Sequence, residues 1–179
     1  GITVANALAV LLLVAAVRVL HLYATSFHFT MWNPDQISVV SELSRILLPW
    51  MSWVVANWLI TLILDGEGSL GKIFAFSAYG MVPFVLLTVL AVIMSHILSL
   101  GELGVYRFLQ SFMYAWVGLL ILLGVGRVHN YTTKGSVGVA ALSVVSIVLL
   151  WGVVVLLYGL IGGFFDFIGD VIREASYHV

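Results

Sequence analysis

The sequence predicts an all-α membrane protein, five transmembrane helices followed by a C-terminal amphipathic helix lying at the interface, and three observations predict it. Of 179 residues, 63% are hydrophobic and only 8% charged, with a mean hydropathy of +1.18; ordinary soluble domains are about 45–50% apolar and about 25% charged. A domain of this size buries only about two-thirds of its surface, so lipid rather than water must be the solvent. Charges and prolines divide the chain into five apolar runs, each near the ~20 residues that cross a ~30 Å hydrocarbon layer as a helix. Within the runs apolar and polar residues do not alternate, which excludes the short strands of a closed barrel.

The first run extends from Ile2 to Tyr23. It begins directly after Gly1, so an N-terminal part of the full protein is expected to precede it, and residues 1–179 form one transmembrane domain with a tail from 164 to 179. Arg18 stands inside this run with His21 one turn later. A charge at membrane depth costs at least about 2.5 kcal/mol, so Arg18 either snorkels to the interface or pairs inside the bundle. Glu42 and Glu102 are the candidate partners, on loops facing the same side.

The second run is Ile46 to Leu64. Before it, Trp32-Asn33-Pro34-Asp35 has turn composition, and Ile37, Val40, Leu43 and Leu47 recur at helical spacing, which predicts a short interfacial helix leading into the span. Pro49 falls in the first turn or so of that span, where the missing donor costs little; deeper in, it would bend the helix. Trp50, Trp53 and Trp58 fit interface anchors and core packing better than ligand stacking.

Asp65 to Lys72 is an acidic, glycine-rich turn that must lie at a membrane face, and it opens into the third run, Ile73 to Leu98, interrupted by Tyr79 and Pro83. The fourth and fifth runs are Phe108 to Gly126 and Val137 to Ile161. Small residues in them, Gly118, Gly124, Gly126, Ser143 and Ser146, permit close backbone packing. Gly159 and Gly163 either admit another helix or loosen the junction to the tail. The tail places Phe164, Ile168, Val171, Ile172 and Ala175 on one face and Asp166, Asp170, Arg173 and Glu174 on the other, so it should lie along the membrane surface. Three Lys or Arg side chains fall on each side of the membrane, and orientation by loop charge stays open.

Chemistry-bearing residues are sparse. The near-zero net charge argues against nucleic acid as a partner. Five histidines are scattered without the pairing a metal centre needs, and the chain has no cysteine, so no metal or other cofactor is expected. Asp65 and Glu67 fit a hydrated linker better than a cation site, and Gly66-x-Gly68-x-x-Gly71 follows a span rather than a strand, which removes the phosphate-cradle reading. No nucleophile and base are paired, and an enzyme is not expected. Asn57, Ser77, Tyr79, Pro83, Gln110, Ser111 and Tyr114 form a thin intramembrane polar set that leaves passive lipid or small-solute pathways open but disfavours an ion relay.

Several segments together resemble the Yip-one domain family of five-span membrane proteins, and its bacterial members in particular. They are Asp65-Gly66-Glu67-Gly68 with Lys72, then Tyr79 and Pro83; Leu48-Pro49-Trp50 and Val54-Val55-Ala56-Asn57; Val128-His129-Asn130-Tyr131 with Lys134; and the closing Ile172 to Tyr177. The resemblance implies a five-helix bundle in the cell membrane with its N-terminus and the 65–72 and 127–134 loops cytosolic. Some bacterial members accompany carbohydrate ABC importers, which makes importer permeases a partner class to consider. The expectation is a non-enzymatic interaction or scaffold subunit in contact with the bilayer and with other membrane subunits. Asp65, Glu67, Lys72, His129 and Lys134 would form its docking loops, and Arg18, Asn57, Tyr79, Pro83, Gly159 and Gly163 its intramembrane polar and packing positions.

Overall fold

The computed structural model describes residues 4–29, 38–64, 68–129 and 132–177. Among these residues there is no strand. Six α-helices follow in order: α1 (Val4–Ala24), α2 (Val39–Ile63), α3 (Leu70–Tyr79), α4 (Val82–Ile97), α5 (Leu103–His129) and α6 (Thr133–Tyr177), with a short 3-10 helix (Leu100–Glu102) before α5. With α3 and α4 taken as one interrupted unit, they supply five segments long and apolar enough to cross a membrane. α1 packs on α3 and α4, α2 on α6 and α3, and α5 on α3, α4 and α6. Val14, Trp50, Val54, Ile73, Phe84 and Met113 form the main buried core, and Phe29, Ala91 and Tyr106 a smaller one near the α1–α2 and α4–α5 turns.

The second span differs from expectation at its start. Ser38 caps α2 by accepting a hydrogen bond from the Ser41 N–H at 3.3 Å, and the helix then runs unbroken to Ile63. Val40, Leu43 and Leu47 therefore belong to the span itself, not to a separate interfacial helix; Ile37 and the Trp32–Asp35 turn lie outside the described residues. Pro49 consequently sits in the helix interior. Proline there removes the donor that would reach the Arg45 carbonyl. Hydroxyls on neighbouring turns bond the local backbone, Ser44 to the Val40 carbonyl at 2.7 Å and Ser52 to the Leu48 carbonyl at 2.8 Å, the kind of local adjustment by which spans tolerate proline.

The third span is discontinuous, and its sequence dictates where. Pro83 cannot donate to the Tyr79 carbonyl, and its ring would crowd that carbonyl in a continuous helix. The chain instead closes α3 with Gly80 N–H on the Phe76 carbonyl and Met81 N–H on the Ala78 carbonyl, both at 3.0 Å, and restarts α4 with Pro83 in its first turn, where no donor is needed. Gly80 suits this break because α5 comes close: a β-carbon there would meet the Ile121 side chain at 2.9 Å.

α6 is the other departure. Glycine inside a helix costs about 1 kcal/mol relative to alanine but keeps its backbone donor. The helix runs without interruption through Gly159, Gly162 and Gly163, so the tail from Phe164 continues α6 rather than forming a separate helix. A β-carbon at Gly159 or Gly163 would meet nothing within 4 Å, so no described helix of this chain uses that close approach.

Candidate functional site: an arginine-headed intramembrane cavity

Arg18 takes the paired arrangement. It lies about two turns before the end of α1, and its Nη2 bonds Glu42 Oε2 in the first turn of α2. The side chains are 15% and 13% exposed, so water screens the pair little. The second oxygen, Glu42 Oε1, accepts from Arg45 Nη1 at 2.9 Å. Glu102, the other candidate partner, is used locally: its Oε2 accepts from the N–H and the hydroxyl of Ser99, both at 2.9 Å, and fixes the turn that starts α5.

Around the pair, the same end of the bundle is tied together by polar contacts. His21 Nε2 lies 3.2 Å from the Tyr106 hydroxyl, joining α1 to α5. His96 Nε2 lies 2.7 Å from the Ala24 carbonyl, and the Ser26 N–H donates to Ser95 Oγ at 3.0 Å. Neither the histidine pairings nor Tyr106 carried any signal in sequence, because each joins residues from distant runs.

Below Arg18 a cavity of about 760 Å³ opens between the helices. Arg18 and Arg45 line one end; apolar walls come from Trp53 of α2, Phe84 of α4, Ile121 and Leu122 of α5, and Ile147 of α6. Met81 contributes from the break in the third span, so the discontinuity helps shape the space. Two donors on cavity-lining residues, Arg18 Nε and Trp50 Nε1, are buried and make no hydrogen bond.

The other sequence-predicted positions separate into different places. Asn57 is buried, and its amide donates to Ser143 Oγ at 3.2 Å, while the Ser143 hydroxyl donates to the Val139 carbonyl at 2.8 Å. This bridge joins α2 to α6, and Ser143 serves it as a polar partner and not merely as a small residue. Replacing Asn57 by leucine removes one interhelical hydrogen bond worth about 1–2 kcal/mol in lipid, and Ser143→Ala should cost a similar amount. A double-mutant cycle on detergent-solubilised protein checks it: the two losses should overlap rather than add.

His129 is buried at the end of α5, where its Nδ1 accepts from the Gly68 N–H at 3.1 Å, so it ties the end of α5 to the residues that lead into α3. Lys72 and Lys134 are exposed at the same end. Asp65 and Glu67 lie outside the described residues. Tyr79 is half-buried where α3 ends, and Pro83 stands at the restart of the span. Of the predicted intramembrane positions, Arg18, Tyr114 and Gly118 line the cavity, which its apolar lining residues did not reveal in sequence.

Comparison with known proteins agrees with this architecture. The sequence model of the Yip1 domain matches residues 3–156, from the start of α1 to the middle of α6. Searches of curated proteins and of solved structures each return no significant match. With most of its length matched, the chain belongs to the Yip1 domain family of multi-pass membrane proteins.

Proposed function

We propose that the protein is a non-enzymatic interaction subunit of a larger membrane assembly, with α6 as its docking element. The observation behind this reading is the length of apolar surface that α6 leaves uncovered. Residues 135–165 carry no Asp, Glu, Lys or Arg. As helix they extend about 47 Å against a hydrocarbon layer of about 30 Å, and tilt alone would have to reach about 50°, beyond the usual range of about 0–40°. Residues 151–170 are exposed throughout, with Leu156, Tyr158, Leu160 and Phe165 among them. The occupant that fits is an apolar helix of another membrane subunit, packed along Gly159 and Gly163 where backbones can approach. Lys72 and Lys134, cytosolic by family resemblance, extend the same reading to loop contacts, and the permeases of carbohydrate importers are the partner class that resemblance offers.

Full-length protein extracted from its own membrane into lipid-preserving particles should have a mass above that of one chain and contain a second membrane protein in fixed ratio. The double variant Leu156→Glu/Leu160→Glu should release it as a monomer. A wild-type monomer overturns the reading, and a homo-oligomer replaces it with self-association. The cavity supports a second reading, a protein that holds or passes a lipid or small solute, and it does not depend on α6 docking.

A further inference from the structure

The cavity beneath Arg18 has a chemical polarity of its own. Its volume of about 760 Å³ falls within the ~300–1,000 Å³ typical of small-molecule sites. Its walls are almost wholly apolar, and one end carries two cations, Arg18 and Arg45, that share one carboxylate, Glu42. Among the described residues of this cluster, two arginines against one glutamate leave one positive charge in excess.

Two buried donors lie close to the same space. Trp50 is 5% exposed and its indole N–H has no acceptor; the Arg18 ε N–H is buried and likewise unmatched. A buried donor without a partner costs about 1–3 kcal/mol, and the hydrocarbon layer supplies no water to meet it. Both residues line the cavity, but the two nitrogens themselves expose less than 1 Å² and lie in the packing behind its wall. The occupant that suits this space carries an anionic group at the arginine end, joined to an apolar body. Trp50 and Trp53 on α2, and Tyr114 to Leu122 on α5, flank about 12 Å of helix height, room for a substantial stretch of extended acyl chain.

We propose that this cavity is a binding site for an anionic amphiphile. Its phosphate or carboxylate head sits against Arg18 and Arg45, and its acyl chain lies along Trp53, Phe84 and Ile121. The shared chemistry comes from two sources, a bilayer phospholipid or a free fatty acid, and the test separates them.

The probes are phosphatidylglycerol, phosphatidylcholine and palmitate, each titrated into delipidated full-length protein in non-ionic detergent and counted by native mass spectrometry. One anionic molecule per chain should be retained at least about tenfold more tightly than phosphatidylcholine. Retention of phosphatidylglycerol alone identifies a phospholipid, retention of palmitate alone a fatty acid, and retention of both supports the shared headgroup chemistry. Arg45 is 71% exposed, so Arg45→Gln leaves the fold intact and should weaken anionic binding several-fold. Gly118 lines the cavity and a β-carbon there meets nothing within 4 Å, so Gly118→Leu should fill the space and abolish retention in a folded protein. Gly104→Leu, equally open but not lining the cavity, should leave it unchanged. Equal retention of phosphatidylcholine, no retention of either anion, or undiminished binding by Gly118→Leu overturns the proposal. None of these readouts depends on whether α6 has a partner.

Discussion

Glu42→Ala is expected to cost about 3–5 kcal/mol of stability, because breaking a buried ion pair leaves the other charge uncompensated. The magnitude agrees with the ~2.5–3.5 kcal/mol that insertion scales assign to an arginine at the centre of a span. Arg45 makes a second bond to the same carboxylate, but it is mostly exposed and three residues away on one helix, a geometry worth only about 0.2–0.5 kcal/mol. Arg45→Gln should therefore be nearly silent in stability while Glu42→Ala is severe. The double variant Arg18→Leu/Glu42→Leu should recover most of the loss, since it removes both charges together. Thermal unfolding in detergent, followed by loss of the monodisperse peak, ranks the three. If Glu42→Ala unfolds with wild type, Arg18 reaches the interface by itself and the pair contributes nothing.

Gly124→Ala should be the next most damaging single change. The Phe76 ring of α3 lies directly on Gly124 of α5, and an added β-carbon would overlap the ring. Forcing one methyl into a packed interior costs about 1–3 kcal/mol. Gly118, on the same helix, supplies the control: Gly118→Ala meets no atom and should be neutral or stabilising by up to about 1 kcal/mol through helix propensity. Phe76→Leu in the Gly124→Ala background should restore part of the loss. Unfolding curves for the two alanine variants decide it, and equal stability would mean that α3 and α5 do not approach at Gly124.

Much of this architecture is legible in sequence because it rests on local rules. Charge-free runs of span length define the five crossings, and Pro83, unable to bond the Tyr79 carbonyl, marks the break in the third. The fate of Glu102 was also readable, since Ser99 and Glu102 stand at the spacing of a helix-start capping pair. That pairing leaves Glu42 as the partner for Arg18. Long-range partners were not readable. Asn57 and Ser143 are 86 residues apart, and nothing near either residue names the other. His129 has the local setting of a loop residue, and only the return of the chain at Gly68 makes it interior. Pro49 left two placements open, and the interior one holds because Ser38 begins α2 earlier. The cavity was invisible because its lining is indistinguishable from core until five helices surround it.

The two functional readings use different parts of the molecule. The cavity lies among α1, α2, α4, α5 and the first half of α6, whereas the uncovered surface belongs to the second half of α6. The Yip1 domain match ends at residue 156, inside that uncovered stretch. The match thus covers the bundle and the first half of α6.

Site-specific photo-crosslinking in native membranes tests docking along α6 most directly. A photoreactive residue at Leu156 or Leu160 should give the same identified membrane protein as adduct, while one at Leu12, equally exposed on α1, should label lipid. If Leu156 and Leu160 label only lipid, as Leu12 does, α6 is not a docking element and the subunit account is contradicted.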